Sequence, residues 1–276
     1  MSLITAHNLG KIYRTHSLVG PSAAKTVLQN VSLSIRDGET VALVGRSGCG
    51  KSTLARLLVG LERPTSGEVL FRGKSVSKLN RVEEKSFRRD VQLVFQDSPS
   101  AVDARFTVRA IIGEPLRYLT SFDEAQRGER LQKLLKMVEL PSHIADRLPS
   151  QLSGGQLQRV SIARALAVNP KLIILDEAVS NLDIHLQASA LALLAGLQRE
   201  NGIAYLFVTH DLRLVKRFAA RCLVMDQGRI VEECVSVGIA RMNHPASRLL
   251  QDAVLPPFPA LLQKYWQGIP CLKPVC

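Results

Sequence analysis

The sequence predicts an α/β protein built on a parallel sheet, and three observations carry that reading. Thr40-Val41-Ala42-Leu43-Val44 is a short apolar, β-branched run that reads as a buried strand. A glycine-rich loop follows it, then Ser52 to Val59, with Leu54, Leu57 and Leu58 at helical spacing. Strand, loop and helix in that order open a parallel α/β unit. Two more buried strands, Leu172–Leu175 and Ala204–Val208, lie far downstream, with Cys222–Met225 as a candidate for another.

Taken from the start, Ser2–Leu9 and Val27–Ile35 are β-rich segments separated by turn signals, among them Asp37-Gly38. After the first α/β unit, Glu68–Phe71 and Val91–Phe95 read as strands. The texture then changes between residues 97 and 150: Leu131, Leu134, Leu135 and Val138 fall at helical spacing among charges, so this stretch reads as a helical subdomain inserted in the core. Residues 1–240 form the expected domain. Residues 241–276 form an expected short proline-rich tail, which from about Pro256, with Pro257, Pro259, Pro270 and Pro274, is expected to pack loosely or serve a partner.

A chain of 276 residues can bury a full core. The start, Met1 to His7, lacks the basic and apolar regions of a signal peptide, and no apolar run approaches the roughly 18 residues of a membrane span. The expectation is a soluble chain whose membrane role, if any, needs a partner. The net charge of +12 is compatible with nucleic acid, nucleotide phosphates or an anionic leaflet. No basic block is interleaved with aromatics, and no nucleic-acid partner is expected. The five cysteines are odd in number and widely spaced, which fits a reducing compartment rather than a disulfide framework.

The chemistry begins in the glycine-rich loop. Gly45-Arg46-Ser47-Gly48-Cys49-Gly50-Lys51-Ser52-Thr53 fits G-x-x-x-x-G-K-[ST]. Glycines let backbone N–H groups turn inward around phosphate oxygens, and the helix that starts there adds positive charge at its N-terminus. Lys51 supplies a full charge to the terminal phosphates, and Ser52 offers a hydroxyl to Mg²⁺. Cys49 in this setting is either a small filler or a thiol with a lowered pKa; the filler is the simpler reading.

The strand Leu172–Leu175 ends in Asp176 and Glu177, which places two carboxylates at the carboxyl edge of a parallel sheet, where such folds bind ligands. Asp176 is expected to hold Mg²⁺ through water and Glu177 to act as general base toward the attacking water. Without the phosphate loop the pair would read as a cap for the next helix. A second anion-gripping helix start lies in Leu152-Ser153-Gly154-Gly155-Gln156. Two such ends in one chain, with a helical subdomain between them, imply two chains sharing each nucleotide.

With these motifs in place, the sequence resembles the nucleotide-binding subunits of ABC transporters over about Leu3 to Val235. The resemblance implies a RecA-like P-loop NTPase core, an N-terminal antiparallel β subdomain and an inserted helical subdomain, with ATP and Mg²⁺ as cofactors. It implies that Tyr13 stacks on adenine, that Gln96 senses γ-phosphate and metal beside the permease-facing surface, that Ser180-Asn181-Leu182-Asp183 contacts the opposite subunit, and that His210 is the switch histidine. It also implies that Ser153, Gly154, Gly155 and Gln156 close over a nucleotide in trans. Ala178 and Val179 depart from the proline and threonine frequent after the catalytic glutamate; neither position carries chemistry.

The wording of Leu43–Arg56, Phe95-Gln96-Asp97-Ser98 and Arg164–Ala167 is similar to the peptide and nickel importer branch, and that of Asp176–Asp183 and Leu250–Pro256 resembles above all the smaller of two ATP-binding subunits of a bacterial nickel importer. That branch implies a sibling ATPase (or a second copy), two permease subunits, an extracytoplasmic solute-binding protein and a place on the cytoplasmic face of the inner membrane. Peptide or metal-chelate import is the alternative cargo. A DNA-repair ATPase with the same head domain is the alternative of another class, but the short insert has no heptad run. His244-Pro245 resembles the His-Pro of peptide-importer relatives, while Cys271 and Cys276 read as unrelated tail thiols in preference to a metal pair.

Overall fold

The structure is a computed structural model that describes residues 2–15, 23–96, 101–179, 184–235 and 242–252. The chain opens with β1 (Ser2–Thr15) and β2 (Ala23–Arg36), two long antiparallel strands. They are joined by β4 (Ser66–Phe71) and β5 (Lys74–Ser75) into a four-stranded sheet of order β2-β1-β4-β5. The second sheet contains β3 (Thr40–Val44), β6 (Val91–Val94), β7 (Leu172–Asp176), β8 (Ala204–Thr209), β9 (Arg221–Asp226) and β10 (Arg229–Val235). Its order is β10-β9-β3-β8-β7-β6, parallel except for β10, which returns antiparallel through a hairpin.

The central strands are buried along their length, which is why they read as continuous apolar runs rather than alternating ones. Alternation survives in which core each residue joins. Leu172 and Ile174 pack with Leu206, Val208 and Leu43 toward the antiparallel sheet and α1 (Lys51–Leu58). Ile173 and Leu175 pack with Tyr205 and Phe207 on the opposite face. That second core includes α3 (Val108–Leu119), α4 (Glu124–Met137) and α5 (Gly154–Leu166), so the helices inserted after β6 are continuous in packing with the sheet. α4 starts on a capping box in which Asp123 and Gln126 satisfy each other's backbone N–H groups.

α2 (Arg81–Asp90), α6 (Ile184–Asn201) and α7 (Leu212–Phe218) complete the helices before the C-terminal segment. Of the expected tail 241–276, the structure describes residues 242–252. They form α8 (Pro245–Asp252), whose Leu250, with Met242 just before the helix, packs on Ala42, Val44, Val224 and Val215. Glu232 on β10 accepts hydrogen bonds from the backbone of Asn243 and His244 and from the Ser247 hydroxyl, which ties the start of α8 to the sheet. His244 Nδ1 in turn accepts from Ala246 N at 3.2 Å. The prolines from Pro256 onward, Cys271 and Cys276, the Ser180–Asp183 loop, and Asp97 and Ser98 lie outside the described residues. Among the described residues, Cys49, Cys222 and Cys234 are free, and no helix is long and apolar enough to cross a membrane.

Candidate functional site

Parallel strands deliver their carboxyl ends to one edge, and four neighbours in the order β3-β8-β7-β6 each end there in a residue singled out from the sequence. The phosphate loop follows β3, His210 follows β8, Asp176 and Glu177 end β7, and Gln96 follows β6. With strands about 4.8 Å apart, groups separated by more than a hundred residues in sequence become side-chain neighbours.

The loop after β3 is shaped by its glycines. A Cβ on Gly45 would sit 2.3 Å from the Met225 carbonyl oxygen and 2.7 Å from Cys49 Sγ, so any other residue would push the loop off β9. Gly50 at φ +110° is the N-cap of α1 and has no side-chain cap, which leaves the N–H groups of the first turn free of a protein side chain. Lys51 is 5% exposed, and its Nζ donates to the carbonyls of Gly45 (2.8 Å) and Arg46 (3.1 Å). The ammonium therefore sits inside the ring of its own loop. Cys49 is buried; burial pushes its thiol above the ordinary value, outweighing the nearby Lys51 charge, and its sulfur fills space beside Gly45. The filler reading fits this geometry and the lowered pKa does not.

Ser52 Oγ donates to Asp176 Oδ1 at 3.1 Å. Burial raises the Asp176 carboxyl above the usual range; the Ser52 hydrogen bond works against that and the charge of Glu177 adds to it. Hard oxygen donors on a buried carboxylate fit a divalent cation such as Mg²⁺. Glu177 is the meeting point. Its Oε2 accepts from Gln96 Nε2 at 2.9 Å, while its Oε1 lies 3.9 Å from Lys51 Nζ and 3.6 Å from His210 Nδ1. Its backbone is left-handed, φ 48°, and is held there by a hydrogen bond from its N–H to the Val208 carbonyl at 3.0 Å.

A cavity of about 500 Å³ lies over this cluster, lined by Ser47, Gly48, Gly50, Lys51, Ser52 and Thr53, by Gln96 and Glu177, and at its far end by Tyr13, Lys25 and Val27 of the antiparallel sheet. Lys25 and Val27 were not singled out from the sequence; a β-strand lysine carries no local signal of a ligand. Ser153, Gly154, Gly155 and Gln156 do not line this cavity. They open α5, where Ser153 Oγ accepts from Gln156 N at 3.3 Å and the Gln156 side chain accepts from Ser153 N at 3.0 Å. Ser153 and Gly154 face solvent.

A sheet edge with a phosphate loop at one strand end and paired carboxylates at another has the layout of a P-loop NTPase, and the chain belongs to the ABC transporter family, whose model matches residues 28–180. Within that family it is 74% identical to the nickel import ATP-binding protein NikE of Brucella suis biovar 1, over 94% of this chain and 97% of the relative. It is 58% identical to the protein of that name from Rhodospirillum rubrum (94% and 93% covered) and 55% identical to that of Escherichia coli O6:H1 (94% and 97% covered). Among solved structures it resembles the dimeric cassette MJ0796 bound to ADP and Pi, at TM-score 0.76 and 33% identity, covering 84% of this chain and 98% of that one. It also resembles cbiO1 of Clostridium perfringens, part of the ABC transporter complex cbiONQ, at TM-score 0.70 and 26% identity, covering 92% and 99%.

Proposed function

We propose that this chain is the ATP-hydrolysing subunit of a bacterial nickel importer. The observation that carries the chemistry is the convergence of Lys51, Gln96 and His210 on Glu177 beside the Ser52–Asp176 pair. The cargo is supported by the relatives named for nickel import, which align with nearly the whole chain.

In this reading the loop N–H groups and Lys51 bind the β- and γ-phosphates, and Tyr13 packs against the base. Ser52, Gln96 and, through water, Asp176 would hold Mg²⁺, which would supply neutralising charge at the phosphoryl group being transferred. Glu177 takes a proton from the water whose oxygen attacks the γ-phosphorus, the β–γ bridging P–O bond breaks, and ADP and phosphate leave. Gln96 and His210, both on Glu177 oxygens, orient that carboxylate. Because Ser153–Gln156 lie apart from the cavity, they act on the nucleotide of a second cassette, a sibling ATPase or another copy. Moving such a pair from mostly open to mostly closed takes about 5.5 kcal/mol of differential binding, which several charge-assisted hydrogen bonds to γ-phosphate supply.

The chain sits peripherally on the cytoplasmic face of the inner membrane against two permease subunits, with an extracytoplasmic binding protein opposite. A groove of about 390 Å³ between β6 and α3, with Tyr118 and Leu61 exposed at its lining, is the surface offered to a permease. It starts beside Gln96, so nucleotide state and permease contact share one strand end. The test is uptake of radioactive nickel by cells that have no second nickel system and carry either the native chain or Lys51→Ala. Loss of uptake at equal protein level is expected; unchanged uptake would discard nickel as the cargo.

A further inference from the structure

Glu62 belongs to none of the motifs above. It lies in the turn after α1, and three donors converge on its carboxylate: Tyr13 OH at 2.6 Å, Arg56 Nε at 2.8 Å and Lys11 Nζ at 3.0 Å. The side chain is 23% exposed. Burial by itself would raise its pKa, but the hydrogen bonds from Tyr13, Lys11 and Arg56 outweigh it and bring the carboxyl to about 2. Glu62 is thus an anion throughout the neutral range and a strong acceptor.

The network joins two parts of the nucleotide cavity that come from different sheets. Tyr13 is on β1 and lines the base end of the cavity. Arg56 is on α1, and its Nη2 donates to Oγ1 of Thr53, which lines the phosphate end, at 3.3 Å. Lys11 Nζ stands over the Tyr13 ring, 4.9 Å from its centroid, and also donates to the Arg63 carbonyl at 2.9 Å. A ring has two faces. With an ammonium over one of them, the other is left for a planar base, and Lys11, unlike Tyr13, does not line the cavity.

We propose that Glu62 is a positioning residue for base recognition: it clamps the Tyr13 hydroxyl and, through Arg56, sets the ring in register with the phosphate loop. A phenol on a strand has two rotatable side-chain bonds; anchoring its oxygen removes that freedom before the ligand arrives, which is a gain in affinity from pre-organisation rather than from a new contact. Lys11 locks the ring from behind and contributes a cation–π contact. The inference rests on Tyr13 contacting the base, as proposed above.

A clamp that merely stabilised the fold would affect every ligand of the cavity alike. Calorimetry on the full-length chain with Mg-ATP and with inorganic tripolyphosphate separates the two roles. Glu62→Gln keeps the size and removes the charge; Tyr13→Phe keeps the ring and removes the hydroxyl. Each is expected to weaken ATP binding about tenfold, the order of a partly lost base stack, and to leave tripolyphosphate unchanged. The double variant is expected to lose less than the sum of the two single losses, because both act on the Tyr13–Glu62 contact. Unaltered ATP affinity, equal losses for both ligands, or additive losses would each overturn the proposal. Should Glu62→Gln not fold, Tyr13→Phe decides alone by the same ATP-to-tripolyphosphate comparison. Failure of the native chain to bind ATP would instead overturn the nucleotide reading itself.

Discussion

Two helix N-termini in this chain carry glycines, each assigned an anion in the function proposed above, and they are finished differently. α1 begins at Gly50 with no side-chain cap, and its first turn is walled by Lys51, Ser52 and Thr53, which line the nucleotide cavity. α5 begins at Ser153 with a closed capping box, Ser153 and Gln156 satisfying each other, and faces solvent. In the proposed function phosphate oxygens cap the first helix, where a side-chain cap would compete with the ligand. The second is capped from within and so stands folded before any partner that the proposed function brings to it. Anion-binding termini can therefore be sorted into those complete only with ligand and those complete beforehand.

The largest expected effect comes from chemistry that only the first end reaches. Glu177→Gln should bind ATP and lose about 10²–10⁴-fold in hydrolysis, the usual contribution of a general base. A closed cassette pair should accumulate and be visible by size-exclusion chromatography; near-native turnover would remove Glu177 from that role. Lys51→Ala and Ser153→Ala should then split the two ends. The first should abolish ATP binding to the isolated chain. The second should leave that binding intact, lower hydrolysis about tenfold or more as donors to the γ-phosphate are lost, and cost roughly 1 kcal/mol in helix stability. Equal loss of ATP binding in both variants would break the distinction.

Smaller effects sit in the pH dependence. Burial raises the Asp176 carboxyl, so its ionised form destabilises the ligand-free fold. That cost is absent below the ordinary aspartate range near pH 3.9 and fully present above the raised folded value. Asp176→Asn should raise the melting temperature at neutral pH by on the order of a few degrees, and the gain should vanish on acidification. Glu62 has the opposite sign. Held at about 2, it contributes stability that is present above the ordinary glutamate value of about 4.3 and lost as pH falls toward 2. Glu62→Gln should flatten that acid limb; an unchanged limb would show that the network is not intact in solution.

What the sequence makes legible here is what is local. Gly45–Thr53 lies in one loop, Asp176 and Glu177 end one apolar run, and buried parallel strands are continuous apolar stretches, so the core strands and the phosphate end could be read directly. Glu62 could not be, because its partners Lys11, Tyr13 and Arg56 are brought together only when β1 docks beside α1. α8 was hidden for a similar reason. Its polar composition looks like a tail until Met242 and Leu250 meet the back of β3 and β9. β10 mixes Glu232 and Glu233 with apolar residues, has no fully buried position, and lacks the uniform apolar signature of the central strands.

The left-handed backbone of Glu177 has a consequence for how this chain changes under selection. A non-glycine residue at φ 48° is strained, by an amount on the order of 1–2 kcal/mol. Glycine or asparagine would relax it and remove the carboxylate that the proposed hydrolysis uses. A library screened for heat resistance alone should enrich such replacements at position 177 and return robust, inert cassettes. With Glu177 as the proposed base, thermostability and turnover are expected to be antagonists at this residue, and a directed-evolution campaign would have to select for both at once.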